Sequence, residues 1–362
     1  MSVRLPVVLD GRRTQDRPLG GVGRSVAGML PHLAEQCDLT LLTDARRPPP
    51  SVAGVRVVAL PRPRGAPEAA WLHGPARQWA RRRGHLFHGT FNALPFCLPA
   101  ATPTVVSIYD LTFELHGEDF DTPRRRAMRQ WFRLAARYAA RRAGIVVTSS
   151  RFSAEQLQEH YGVPPERLVV IPCAVDELFR PGAGAAAPDL AARLGLTRPY
   201  VVAVGGAPRR GADVAVAAWQ RLRHEGLDVD LVVSGRVDAA LSPGLHRVAG
   251  LPDRDWAALL AEAKALCYPT RYEGFGLPGL EAAASGTPVV ATPTSSVPEV
   301  LGDAAEWCED GSVEAVALAL RRVLTDSHRA AELRSLGLAR AASWPSWREV
   351  ATAHASAYAD AC

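Results

Sequence analysis

Short, nearly continuous apolar runs alternate along this chain with longer stretches in which apolar residues recur three or four positions apart. Runs at 3–9, 39–43, 55–60, 85–89, 104–108, 144–149 and 168–172 read as strands in the first half, and those at 200–204, 230–234, 266–269 and 288–290 in the second. Runs of this length bounded by turn residues suit strands covered on both faces. Between them, Val26, Met29, Leu30 and Leu33 mark one face of a helix that follows a glycine-rich loop. Residues 123–142 read as a long helix, and 150–161 as another with Ser153 a candidate N-cap. Strands that alternate with helices predict the α/β class with parallel sheets, whose ligands bind beyond the strand carboxyl ends.

The most informative pattern lies at 266–290, LCYPTRYEGFGLPGLEAAASGTPVV. A strand runs into a polar loop ending in Glu273, Gly274, Phe275 and Gly276. Leu277 and Pro278 open a helix, Gly286 stops it, and the next strand begins at Pro288. Proline just inside a helix and glycine just past it are the expected punctuation. A glycine-flanked loop that delivers the chain to a helix N-terminus offers free N–H groups to an anion. Glu281 sits one turn into that helix and Glu273 ahead of it, a combination that suits phosphates at the helix start and sugar hydroxyls at two acids. A second glycine-rich stretch, Gly20, Gly21 and Gly23, leads into the first helix. Its spacing is a poor dinucleotide fingerprint, because Val26 stands where a third glycine is needed. By itself it is as easily a plain helix start as an anion site.

Length and composition narrow the class. A chain of 362 residues exceeds one ordinary core, so two domains are expected, and the alanine-, glycine- and proline-rich stretch at 182–188 reads as the linker. Six cysteines show no C-x-x-C pairing and no histidines at ligand spacing, which argues against a disulfide scaffold or a zinc site and for a reducing cytoplasm. No signal-peptide pattern and no run of membrane-spanning length is present. Charge is uneven: residues 1–180 carry 25 basic against 16 acidic side chains, residues 181–362 carry 17 against 21. The basic first half suggests an acidic counterpart. Nucleic acid is not expected, since no zinc-finger or RRM-type signature appears. Arg129, Arg133, Arg137 and Arg141, spaced four apart, form one helical face. That face reads either as a solvated stripe or as a contact with an anionic membrane or an acidic acceptor.

Glu273, seven residues, then Glu281, with Gly274, Phe275, Gly276, Leu277 and Pro278 between them, resembles the E-x7-E signature of glycosyltransferase family 4. The resemblance covers nearly the whole chain and is strongest over 200–350. It implies a GT-B fold, α/β with two Rossmann-like parallel-sheet domains facing across a cleft: 1–180 on the acceptor side, joined by a terminal helix at 345–362, and 181–344 on the donor side. It implies a retaining, metal-independent hexosyltransferase that uses a nucleotide-diphosphate sugar and a hydroxyl acceptor, with no cofactor. Arg209 matches the family's arginine after the glycine turn, and Arg210 replaces the usual lysine. Both are expected on the leaving diphosphate, where guanidinium binds bidentately. Glu273 and the backbone of Gly274, Phe275, Gly276 and Leu277 would orient the sugar, and Glu281 would take the ribose hydroxyls. Gly20 and Gly21 would face the diphosphate from the first domain.

Tyr109, Asp110 and Leu111, with His116 downstream, resemble the family's "HDL" segment, although tyrosine stands where many members have histidine. Asp110 and His88 are expected at strand ends as catalytic candidates and His116 as a substrate contact, while a lone buried histidine such as His88 is more often structural. Two other readings stay open: a GT-B epimerase, and a non-catalytic sugar-nucleotide-binding subunit. The expected location is the cytoplasm, with peripheral association at the membrane's cytoplasmic face as an option of the arginine-bearing helix.

Overall fold

In the computed structural model every residue is described except 1–3, 17, 18, 82, 83 and 241. The start of the strand expected at 3–9 and the end of the loop before Leu19 thus lie outside the described residues. The chain forms two compact units, 1–174 with 345–362, and 175–344. The change of unit comes at Ala174, not at 180/181. Ile171 and Ala174 still pack in the first core, whereas the turn Ala183–Ala186 lies against the helix Asp253–Glu262. Gly184 in that turn approaches so closely that a Cβ there would stand 2.2 Å from Glu262. The composition that reads as a linker is therefore a packed turn.

The first unit holds a parallel sheet of seven strands: β1 (Pro6–Asp10), β2 (Asp38–Asp44), β3 (Arg56–Leu60), β4 (Leu86–Gly89), β5 (Thr104–Ser107), β6 (Ile145–Thr148) and β7 (Leu168–Val170). Their spatial order is β3-β2-β1-β4-β5-β6-β7. Side chains alternate faces with period two. Val8, Leu42, Phe87, Val106 and Val146 enter the core under the helix Pro123–Arg142. Val7, Leu9, Leu41, Leu86 and Val105 enter the core under the helices Gly21–Ala34 and Trp347–Asp360. The second unit repeats the plan with β8 (Tyr200–Val204), β9 (Asp230–Ser234), β10 (Leu245–Val248), β11 (Ala265–Tyr268), β12 (Val289–Ala291) and β13 (Ala305–Trp307), in the order β10-β9-β8-β11-β12-β13. In each sheet the order reverses once, between β1 and β4 and between β8 and β11. Such a reversal opens a crevice beyond the strand carboxyl ends. The edge strands β10 and β13 were not legible as apolar runs. β10 carries His246 and Arg247 at its centre, and β13 carries Glu306.

Two helix details differ from the sequence reading. Ser150, not Ser153, is the N-cap of Arg151–Tyr161, its hydroxyl accepting the Ser153 N–H at 3.0 Å. The arginines of Pro123–Arg142 do not form a free stripe. Arg129 donates to the carbonyls of Phe113 (2.8 Å) and Glu114 (3.1 Å), and Arg133 and Arg137 both pair with the Glu114 carboxylate. This helix clamps the short turn Thr112–Leu115, so the contact of Arg129, Arg133 and Arg137 with an anionic membrane is not supported. Among the described residues no helix is long and apolar enough to cross a membrane.

The terminal helix closes the first core. Gly28 makes room for the Trp347 indole, 2.4 Å from where its Cβ would stand. His88 of β4 meets the Tyr358 hydroxyl (2.8 Å) through Nδ1 and the Ser107 hydroxyl (2.9 Å) through Nε2. The His354 ring lies 5.8 Å away. Burial holds His354 down to about 4; burial and then the neighbouring His354 hold His88 well below its ordinary value. Both are neutral in the native protein, whereas an unfolded chain takes up these protons from about pH 6.5 downward. Below that point the unfolded state binds more protons, so stability is full above about pH 6.5 and falls as the pH drops towards 4. Urea unfolding should give a lower midpoint at pH 5 than at pH 7.5, and His354→Leu should flatten that difference.

Candidate functional site

In the second unit the loops after the two strands flanking the sheet reversal, β8 and β11, are laced together. Arg209 O accepts the Arg271 N–H at 2.7 Å and the Thr270 hydroxyl at 3.2 Å. Gly211, at φ +66°, lies so close to the Pro269 carbonyl that a Cβ would stand 2.0 Å from its oxygen. Only glycine meets both demands, the left-handed conformation and the close approach. The turn 205–211 is thereby held against the loop carrying Glu273. Arg209 and Arg210 are both half-buried at this junction. Arg210 donates to the Gly205 carbonyl at 3.1 Å, and its Nε lies 3.8 Å from Glu273 Oε1.

Glu273 is fixed through its backbone by the loop after β12. Its N–H donates to the Ser295 hydroxyl (2.9 Å), and its carbonyl accepts from Ser296 (2.8 Å). Ser295 adopts φ +52°, a conformation costly for a side chain with a Cβ and retained where surroundings impose it. Beneath Glu273 lies the buried Tyr268 of β11. Burial, and then the Glu273 carboxylate, push its hydroxyl well above the usual phenol range. Gly276, at φ +96°, is the N-cap of the helix Leu277–Ala284, with Pro278 in its first turn. Phe275 turns inward, its ring 5.8 Å from that of Trp344. Glu281, 1% exposed, accepts the Trp256 indole N–H at 2.8 Å. Glu273, Glu281, Arg209, Arg210 and the Leu277 helix start are thus brought to the carboxyl end of one sheet. Two guanidinium groups beside a helix N-terminus suit phosphate, and buried carboxylates suit hydroxyl donors.

Trp256, Tyr268 and the serines at 295 and 296 escaped the sequence reading. No local signal links Trp256 to an acid 25 residues onward.

In the first unit, Gly20 caps the helix Gly21–Ala34 at the carboxyl end of β1. Asp110 follows β5, and its carboxylate accepts the Thr112 N–H at 2.8 Å. His116 Nδ1 lies 2.8 Å from Glu118 on a half-buried ring. His88 is different. It has no accessible surface, and both ring nitrogens are engaged inside the core. Its placement makes it a core residue, and the catalytic role expected of it is withdrawn. Tyr109 is also drawn inward, with burial raising its hydroxyl above the ordinary range.

Two family models divide the chain between them. "Glycosyltransferase Family 4" matches residues 19–177, and "Glycosyl transferases group 1" matches 198–326. The O-antigen chain mannosyltransferase B of Escherichia coli is 30% identical over 310 residues, covering 80% of this chain and 79% of that protein. The MMP alpha-(1->4)-mannosyltransferase of Mycolicibacterium hassiacum is 32% identical over 254 residues, 65% of this chain and 59% of that protein's length. Among solved structures, sucrose-phosphate synthase from Thermosynechococcus elongatus has the same fold, with a TM-score of 0.75 at 19% identity over 98% of both chains.

The glycines before the first helix divide by what surrounds them. A Cβ at Gly23 would stand 2.4 Å from the Arg13 carbonyl oxygen, whereas Gly20 and Gly21 face open space and have negative φ. Gly23→Ala should therefore destabilise by about 1–3 kcal/mol through overpacking. Gly20→Ala and Gly21→Ala should leave thermal unfolding within about 1 kcal/mol of the parent, because nothing in the fold excludes their methyl groups.

Proposed function

The chain belongs to the group 1 glycosyltransferases, and on that premise we propose that it moves a hexose from a nucleotide-diphosphate sugar to a hydroxyl acceptor, with retention of anomeric configuration. The observation that carries this reading is the convergence of Glu273, Glu281, Arg209, Arg210 and the Leu277 helix start at the reversal point of one parallel sheet. In the reaction the bond between the anomeric carbon and the diphosphate oxygen breaks, and the diphosphate leaves with the electron pair. The acceptor oxygen bonds the anomeric carbon on the same face and passes its proton to the departing diphosphate. The charge that builds on the leaving diphosphate is the costly feature of this step. Arg209, Arg210 and the positive end of the Leu277 helix are fixed in place before it develops, which is how preorganised charges and dipoles lower a barrier.

Glu281 is assigned to the ribose hydroxyls, and Glu273, beside Arg210, to the hexose. Gly20 and Gly21 are assigned to close approach by a phosphate group at the first unit's helix start, a role supported by the open space at both positions. Asp110 and His116, at and beyond the carboxyl end of β5, are assigned to the acceptor side. The countercharge comes from arginine, so the reading requires no divalent cation and no cofactor.

Mass spectrometry of products from a panel of sugar nucleotides tests the reaction class; a transferred hexose with release of nucleoside diphosphate is expected. Glu281→Ala should weaken both the sugar donor and the free nucleoside diphosphate about ten- to a hundredfold, the loss of a hydrogen bond to a charged group. Unchanged calorimetric affinity in the folded variant would remove Glu281 from the donor site. Turnover should persist in excess chelator, and a loss that magnesium restores would show that the arginines do not suffice.

A further inference from the structure

A buried carboxylate that serves a ligand must be kept charged and correctly turned before the ligand arrives. Glu281 is nearly inaccessible, on the second turn of a short helix whose neighbours Leu280, Ala282, Ala283 and Ala284 are all buried. Burying a carboxylate is costly unless hydrogen-bond donors replace its water. Trp256, in the first turn of the helix Asp253–Glu262 and itself 8% exposed, supplies one: its indole N–H donates to Glu281 Oε2 at 2.8 Å. An indole N–H is a donor only and does not titrate. It therefore holds one oxygen without taking or giving a proton, and without the counter-charge that a lysine or arginine would bring. Its backbone is itself anchored, the Trp256 N–H donating to the Pro252 carbonyl at 2.9 Å.

We propose that Trp256 is a positioning residue for the donor nucleoside: by holding Oε2 it sets the Glu281 carboxylate in the rotamer that receives the ribose hydroxyls. The proposal rests on the assignment of Glu281 to the ribose. Trp256 acts through Glu281 and only on ligands that carry a ribose diol. A tryptophan kept merely to satisfy a buried acid would act on overall stability without regard to the ribose.

UDP, GDP and ADP, their 2′,3′-dideoxy forms, and inorganic pyrophosphate are titrated calorimetrically against the wild type, Trp256→Phe, Glu281→Ala and the double variant, each checked by thermal unfolding. If Trp256→Phe does not fold, 3-benzothienylalanine at position 256 keeps the indole shape while replacing its N–H with sulfur. Whichever nucleoside diphosphate binds the wild type should bind Trp256→Phe about tenfold more weakly, with the dideoxy form and pyrophosphate unchanged. In the Glu281→Ala background the second substitution should add nothing, since two residues acting through one contact are not additive.

If Trp256→Phe leaves the ribonucleotide affinity intact while Glu281→Ala weakens it, the positioning role fails and the ribose assignment stands. Equal losses for pyrophosphate or the dideoxy form, or additive losses in the double variant, also overturn it, because Trp256 would then act through packing. If Glu281→Ala changes no affinity, or none of the three nucleotides binds, the reading of the donor site itself falls.

Discussion

The second unit depends on one close approach, the Gly211 backbone against the Pro269 carbonyl. It brings the turn after β8 to the loop after β11, and the Arg271 N–H to Arg209 O bond then closes the junction at 2.7 Å. Parallel strands leave their carboxyl ends as separate loops with no ladder to register them. Here the register is supplied by main-chain contacts, so the position of Arg209 and Arg210 relative to Glu273 does not rest on flexible side chains. The third loop, after β12, joins through Ser295 and Ser296, which hold both the N–H and the carbonyl of Glu273.

Two acids in this region are solvated in different ways, and the difference suits different duties. Glu281 is deep in the unit and takes an indole N–H. Glu273 lies above the Tyr268 hydroxyl and within 3.8 Å of Arg210. One carboxylate is held by a neutral donor and remains a strong acceptor. The other shares its field with the Arg210 guanidinium. A buried charge left with fewer partners would cost several kcal/mol, so both arrangements constrain what can replace these residues.

Much of this was legible in the chain. The glycine, phenylalanine and proline around Glu273 and Glu281 identify the loop and the helix start, and the apolar runs identify eleven of the strands, because buried parallel strands carry a strong local signal. The edge strands β10 and β13 carry polar residues and were lost in that pattern. His88 was the misleading feature: it stands near a strand end, where a ligand group is expected, yet its ring points into the core towards Tyr358 and Ser107. The arginines of Pro123–Arg142 misled in the same way. Their spacing defines a face, but whether that face meets solvent or Glu114 depends on a turn outside the helix.

The sequence by itself determined the alternation of strands and helices, the two parallel-sheet units and the loop that carries Glu273 into the Leu277 helix. All of these follow from the preferences of residues a few positions apart. The tertiary structure alone decided which acid is held by which donor. It paired Trp256 with Glu281, set Tyr268 under Glu273, turned His88 inward and drew three arginines onto Glu114. Each is a contact between distant segments, set by strand order and helix packing, and a side chain's charge or hydrogen-bonding capacity does not say which partner the fold will bring to it.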